Sequence, residues 1–485
     1  MELISGTGQP ADVTIYPVFE DSEGEPAGLT LREGMGGRGA VHWFYGRHGE
    51  QDILVVGLGS RDKFGMEALR EAAGGAGREI RKASLRTASI DGTALRDIFG
   101  EGEWPEQAAV AWVEGWLLGT YVFDKYTSRH KKGQVDWIRI ESDAERSYAE
   151  AAWLGRARAE AVALARDLCN EAPNDLHPAS FVQRIKTVFA GRNVKLHVYQ
   201  GEELKQRQMN GLLAVGSGSK HPPAMVEIEY FGDSNAPHLA LIGKGITFDM
   251  GGMNLKVARD LSDARFDMGG AAAVIGAMDL LTRLEVKARI TALIPIAENV
   301  PDGDAILPSH VIRYPNGLSV QVVNTDAEGR LILADAILHA ARNGAERIID
   351  IATLTGAVGH ALGLRVAGIW GDAGFAEQLM RIGSKNGDPI WRLPLVDEDE
   401  ELLGSPYADL ANLASSPYGG ANMAALFLRR FVPSKARWCH IDMANTSQVP
   451  ADRGYKAAGA TGYGVRLLAD FVTEQANSGN GGTAE

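Results

Sequence analysis

At 485 residues the chain is too long for one ordinary core, and domain-size arguments give about two to four domains of roughly 100–200 residues each. Its composition, 45% apolar and 23% charged, is that of a globular soluble protein, and 62 acidic against 49 basic residues (net −13) argue against nucleic acid as the main partner. Two cysteines, Cys169 and Cys439, cannot build a disulfide framework, the Met1–Gly6 start has no signal-peptide pattern, and no window approaches the ~20 apolar residues of a membrane helix; the expectation is a cytoplasmic protein with no membrane segment.

Residues 1–145 read as a smaller N-terminal α/β domain. Asp52-Ile-Leu-Val-Val-Gly-Leu-Gly59 is a short apolar strand running into glycines, 66–73 and 104–118 have helical patterning, and Trp137-Ile-Arg-Ile140 is a late strand. The Gly57-Leu-Gly59 triplet lacks the third glycine of a dinucleotide fingerprint, so a plain strand-to-turn reading outweighs a nucleotide site. The polar stretch 124–134, with Arg129-His-Lys-Lys132, reads as a solvated loop. From 143 to 170 Ala, Glu, Leu and Arg dominate without proline, which predicts a long helix stopped at Asn170-Glu-Ala-Pro-Asn174. Residues 146–172 are therefore expected as a connecting helix.

Residues 173–485 are expected as the second, larger domain. Strands are predicted at 194–199, 225–230, 239–243, 290–297 and 348–353, and helices at 269–284 and 330–343. Strands alternating with helices imply a larger α/β domain whose mostly parallel central sheet is covered by helices. The Gly/Ser/Asn-rich tail 477–485 predicts disorder.

Three segments place charge where an open α/β sheet presents its ligands, outside the carboxyl ends of the strands. In Leu239-Ala-Leu-Ile-Gly-Lys244-Gly-Ile-Thr-Phe-Asp249-Met-Gly-Gly252 an apolar strand ends, and Lys244 and Asp249 follow in what reads as a glycine-rich turn. In Arg265-Phe-Asp267-Met-Gly-Gly270, which opens a helix of small residues, Asp267 taken alone fits an N-cap. In Val322-Val-Asn-Thr-Asp326-Ala-Glu328-Gly-Arg330-Leu331 an extended backbone would turn Asp326 and Glu328 to one side, and Arg330 at a helix start makes an anion site. A capping-box-like start explains one of these acids but not two acids and an arginine together.

Together the segments supply three aspartates, a glutamate and an amine. Like charges in one pocket disfavour ionisation unless cations compensate. Two divalent cations about 3.5–4 Å apart, bridged by carboxylates as in two-metal hydrolases, would compensate them. Beside a dication a lysine loses its proton and can ligate. No H-E-x-x-H and no Cys/His cluster competes; His310, His339, His360 and His440 are scattered and read as structural.

These segments resemble the cytosol (leucyl) aminopeptidase family of two-metal metallopeptidases. Asn324-Thr-Asp-Ala-Glu-Gly-Arg-Leu331 matches that family's signature octapeptide at every position. Gly243-Lys-Gly-Ile-Thr-Phe-Asp249 with Gly251-Gly252, Asp267-Met-Gly-Gly-Ala-Ala-Ala-Val274, Asp350-Ile-Ala-Thr-Leu-Thr-Gly-Ala357 and Gly459-Ala-Thr-Gly462 match further blocks, so that the resemblance covers about residues 145–475. It implies a leucyl aminopeptidase-type exopeptidase that releases leucine-like and other residues from peptides with a free N-terminus, by attack of a two-metal-bridging hydroxide. The tighter metal, zinc or manganese, would be held by Lys244, Asp249, Asp267 and Glu328, and the more exchangeable one by Asp249, Asp326 and Glu328. Lys256 stands in the place of the catalytic lysine that polarises the scissile carbonyl. Arg330 stands in that of the arginine holding a bicarbonate general base. Substrate contacts would fall to Lys256, Asp267, Asn324, Thr353, Leu354, Gly356 and Ala264. A homohexamer, a dimer of trimers, is implied in the same way.

The chain departs from the family pattern at Met250, where serine is frequent, at Asn254 and Val257 around Lys256, and at Ala264, where many relatives carry a methionine lining the first side-chain pocket. The smaller Ala264 should widen that pocket, which bears on leucine preference and not on the chemistry. Two alternatives stay open. One is a dipeptidase such as a cysteinyl-glycine hydrolase, which the pocket would decide. The other is a DNA-binding module on the same fold, which the net charge opposes.

Overall fold

The computed structural model describes residues 2–6, 8, 10–22, 28–47, 50–91, 98–99, 105–128, 135–141, 147–257 and 260–480. It has two compact units, Met1–Ala163 with Val449–Gly459, and Leu164–Gln448 with Ala460–Glu485. The chain passes from one to the other within the helix Ala149–Asn170. Residues 143–146, the expected start of that helix, lie outside the described residues, as do Trp104 and the basic run 129–132.

The first unit is built on β1 (Glu2–Ser5), β2 (Val13–Val18), β3 (Val41–Phe44), β4 (Asp52–Gly57), β5 (Thr87–Ile90) and β6 (Trp137–Ile140), in the order β1-β6-β5-β2-β4-β3. All neighbours are parallel except β3 against β4. Val13, Ile15, Leu54, Val56, Ile90 and Ile138 are buried in one core with Trp112 and Trp116. The two tryptophans come from the helix Glu106–Thr120, which packs on the helix Met66–Lys82. Glycine is required at that contact: a Cβ at Gly115 would lie 2.3 Å from the Arg70 carbonyl oxygen. The glycines after β4 serve backbone packing in the same way, since a Cβ on Gly57 would lie 2.0 Å from the Gly37 oxygen and the Gly59 N–H donates to Gly36.

The second unit contains β7 (Lys195–Gln200), β8 (Ala224–Phe231), β9 (His238–Gly243), β10 (Gly245–Asp249), β11 (Arg289–Asn299), β12 (Val311–Arg313), β13 (Ser319–Gln321), β14 (Arg347–Ala352), β15 (Ala367–Gly371), β16 (Ile390–Arg392), β17 (Leu410–Ala411) and β18 (Arg437–Asp442). Its main sheet runs β16-β15-β18-β14-β9-β11-β8-β7, with β10 also on β11, while β12-β13-β17 make a small separate sheet. The centre, β18-β14-β9-β11, is parallel. Every residue of β9 is buried, as expected of a parallel strand covered on both faces. The helix Gly329–Arg342 packs Ile332, Leu333 and Ile337 into one core with Ala240, Ile242, Leu293 and Ile348. The helix Gly269–Arg283 packs on β9 and β14 and on the helix Val465–Asn480.

That last helix corrects one expectation. Residues 477–480, read as disordered tail, are helical, and 481–485 lie outside the described residues. Buried Leu467, Leu468, Phe471 and Val472 anchor the helix, and the packing carries it through a segment whose composition alone favours no structure. No helix among the described residues is long and apolar enough to cross a membrane.

Candidate functional site

The site grows out of a broken strand. β9 and the start of β10 hold the same register on β11, with Ile242 beside Leu293 and Gly245 beside Ile296, so they form one strand interrupted at Lys244, whose register slips by one residue before Asp249 pairs with Asn299. The stretch read as a glycine-rich turn is therefore a strand, because β11 continues to pair with it as far as Asn299. β14 stops at Ala352, and the opening between its end and β10 receives the Lys244 side chain. The Lys244 Nζ donates to the Thr353 carbonyl at 2.9 Å and lies 2.8 Å from Asp267 and 2.9 Å from Glu328.

Asp249 ends β10. Its Oδ1 accepts from the Gly251 N–H at 2.9 Å and from Asn299 Nδ2 at 2.8 Å, and its Oδ2 lies 2.7 Å from Lys256 Nζ. Gly251 and Gly252 have φ of +87° and +60°, a left-handed pair that reverses the chain and brings Lys256 back over Asp249. Lys256 also donates to Asp326.

Asp267 is not an N-cap. It belongs to the 3-10 turn Ala264–Met268, Met268 takes the cap position of the next helix, and the Asp267 Oδ1 accepts from Lys244 Nζ and from the Thr353 hydroxyl, each at 2.8 Å. Asp326 and Glu328 do not lie on an extended stretch either. They lie on a turn after β13, held by the Asp326 N–H donating to Asn324 Oδ1 (2.8 Å) and the Thr325 N–H donating to Asn254 Oδ1 (2.8 Å). Glu328 occupies the N-cap position of the helix Gly329–Arg342 but makes no capping bond, which leaves its carboxylate to the cluster. A Cβ at Gly329 would lie 2.7 Å from Lys244 Cε, so glycine there is the condition for Lys244 to reach Glu328.

Lys244, Asp249, Lys256, Ala264, Asp267, Asn324, Asp326, Glu328, Arg330, Thr353, Leu354 and Gly356 all line one cavity of about 460 Å³. Every residue given a metal, catalytic or substrate-contact role from the sequence is thus on its wall, while Met250, Asn254 and Val257 are not among the lining residues. Asn299, Thr325, Asn412 and Asp442 were not singled out. Asn299 Nδ2 joins Asp249 to the Thr325 carbonyl (3.0 Å), Asn412 accepts an Arg330 N–H on its carbonyl (2.9 Å), and Asp442 accepts from Leu354 and Thr355. Asn299 and Asp442 end parallel strands, the same positional signal that marked Lys244. Of the scattered histidines, His339 pairs with Glu227 at 2.6 Å and His440 with Asp350 at 2.5 Å, buried in the fold and off the cavity wall.

The electrostatics are those of an acid cluster short of positive charge. Burial, reinforced by the neighbouring carboxylates, pushes Asp267 and Glu328 above the usual carboxylate range; burial and Asp249 do the same to Asp326. Burial works to lower both lysines, but the surrounding acids outweigh it and hold Lys244 and Lys256 above their ordinary values. Burial pulls Arg330 down to about 10, against the pull of Glu328 and Asp442. Oxygens of Asp249, Asp326 and Glu328 lie within 4.8 Å of one another, and Glu328 Oε2 is buried with no hydrogen-bond partner. An oxygen-rich donor set with an orphaned buried carboxylate oxygen fits divalent cations.

Residues 163–469 match the sequence profile of the cytosol aminopeptidase family, catalytic domain, and residues 29–130 that of the same family's N-terminal domain. The chain is 38% identical over 439 residues to a probable cytosol aminopeptidase of Geotalea uraniireducens (strain Rf4), covering 88% of this chain and 86% of that one. To a probable cytosol aminopeptidase of Persephonella marina (strain DSM 14350 / EX-H1) it is 34% identical over 446 residues, covering 91% and 89%. Among solved structures it is similar to the bottromycin maturation enzyme BotP, with a TM-score of 0.85, 32% identity and coverage of 96% of this chain and 100% of that one. The same enzyme in complex with Mn gives a TM-score of 0.86 at the same identity and coverage.

Proposed function

We infer that the chain, which belongs to the cytosol aminopeptidase family, is a two-metal aminopeptidase acting on peptides with a free N-terminus, leucine-like first residues among them. The observation that carries this reading is the convergence of Asp249, Asp326 and Glu328, with Glu328 Oε2 buried and unpartnered and Asp267 joined to Glu328 through Lys244. Lys244, Asp249, Asp267 and Glu328 would hold one ion, and Asp249, Asp326 and Glu328 the other, zinc or manganese. When bound, such a pair supplies a water acidic enough to attack an amide carbonyl near neutral pH.

The chain's own groups do the rest. Asp267, bonded to Lys244 and Thr353 on the cavity wall, would face the substrate's free amine. Lys256, paired with Asp249 and Asp326, would as an ammonium stabilise the charge that develops on the carbonyl oxygen. Arg330, with its Nε buried and unpartnered, would hold a bicarbonate ion as proton acceptor. Asn324, Thr353, Leu354, Gly356 and Ala264 shape the space for the first residue. The reading includes a cytoplasmic homohexamer, which sedimentation velocity tests.

Hydrolysis of a panel of aminoacyl amides before and after chelation is the direct test. Cleavage of free-amine substrates that vanishes on chelation and returns with zinc or manganese is expected. Two bound metals and no cleavage of any free-amine substrate would overturn the reading.

A further inference from the structure

We propose that Asp442 is a positioning residue that fixes the cavity wall against which the substrate's first residue lies; this rests on the aminopeptidase reading. Asp442 ends β18, fully buried behind the cavity. Its Oδ1 accepts from the backbone N–H groups of Leu354 and Ala444, each at 3.2 Å, and its Oδ2 accepts from the Thr355 hydroxyl at 2.6 Å. Leu354, Thr355 and Ala444 all line the cavity, and they come from two separate chain segments. One carboxylate therefore sets the spacing between two stretches of wall.

The neighbouring contacts show why that spacing matters. Thr353, next in the chain to Leu354, is tied to the acid cluster through its carbonyl on Lys244 and its hydroxyl on Asp267. The segment 353–355 is thus held at one end by the cluster and at the other by Asp442. Thr355 Oγ1 also accepts from the Val358 N–H at 3.3 Å while it donates its one proton to Asp442. Three donors point at this one carboxyl group, and an ionised carboxylate accepts all three; burial raises its pKa, and these hydrogen bonds work against that rise. Asparagine could keep the Leu354 and Ala444 bonds on its oxygen, but its NH2 cannot accept the Thr355 hydroxyl proton, so that bond would have to reverse onto the hydroxyl's remaining lone pair.

A merely structural tie would lower stability and leave substrate handling unchanged in the folded fraction. A positioning residue acts on binding and ranking, because a misplacement of about 1 Å can cost on the order of 100-fold. The test uses the full chain reconstituted with manganese and compares wild type, Asp442→Asn, Asp442→Ala, Thr355→Ala and the double variant Asp442→Asn/Thr355→Ala. Metal stoichiometry, melting temperature, kcat and KM on an aminoacyl-amide panel, and leucine binding by calorimetry are measured. In Asp442→Ala, KM should rise by about tenfold or more, the ranking of first residues should flatten and leucine should bind correspondingly more weakly, with two metals retained and kcat on the best substrate reduced less. Asp442→Asn and Thr355→Ala should each give a smaller KM rise and should not add in the double variant, since both act on the one bond between the Thr355 hydroxyl and residue 442.

A folded, metal-loaded Asp442→Ala with wild-type KM, ranking and leucine affinity overturns the proposal. If that variant does not fold, additive or absent KM effects in the two milder variants overturn it instead. Failure of the aminopeptidase reading shows separately, in a wild type that cleaves nothing. Leucine binding then still decides Asp442, and a wild type that binds no leucine either overturns both.

Discussion

The two ends of the acid cluster each pair a lysine with a carboxylate and differ in their access to water. At the closed end Lys244 and Glu328 are 2% and 4% exposed; at the open end Lys256 and Asp326 are 16% and 33% exposed. The closed end is fixed by the sheet itself, because Lys244 sits in the break between β9 and β10 and glycine at 329 clears its path. The open end is fixed by loops, through the left-handed glycine pair and the Asn254–Thr325 bonds. A buried lysine among acids reads as part of the binding set, and a lysine at the mouth as a group that meets substrate.

The largest effect should separate those roles. Glu328→Gln should lower activity by more than about 100-fold, beyond the loss of an outer partner, and should cost metal affinity. Lys256→Met should lower kcat by about 100- to 1000-fold while both metals remain bound. Metal loss in the Lys256 variant of the same size as in the Glu328 variant, measured by atomic emission, would erase the distinction between the two ends.

A pH experiment sharpens the comparison at smaller amplitude. In the chelated protein the carboxyl groups of Asp267, Glu328 and Asp326 titrate above the usual carboxylate range, so the folded chain binds more protons than the unfolded one between that range and the raised values. Stability of the chelated protein should fall as pH rises through that window, and both lysines stay protonated across it. Denaturant midpoints should show the slope, Glu328→Gln should reduce it, and added metal should cancel it; a flat profile without metal would contradict the burial of the closed end.

The smallest effect concerns the pocket. Ala264→Met should shift the preference among first residues by about tenfold toward small side chains, within the range a few methylenes command in a hydrophobic pocket. An unchanged ranking would remove Ala264 from the pocket wall that touches substrate.

Much of this was legible in the sequence. The parallel centre of the second unit followed from apolar strands alternating with helices, and the charged residues stood at strand ends, where an α/β sheet leaves room for a ligand. Local signals failed where the partner was distant in the chain. Asp267 has the sequence of an N-cap, but Lys244 and Thr353, 23 and 86 residues away, claim its carboxylate. Asp326 and Glu328 have the spacing of one strand face, but a turn brings them together. Residues 477–480 have the composition of a loose tail, but the buried face of their helix carries them.

The sequence by itself determined the kinds of groups and their order, because residue type sets charge, donor count and backbone freedom before any folding. Tertiary structure alone decided which carboxylates share a lysine, which end of the cluster is dry, and that Asp442 stands behind the wall. Those facts depend on segments separated by tens of residues meeting in space, and on burial, which no local pattern of residues encodes.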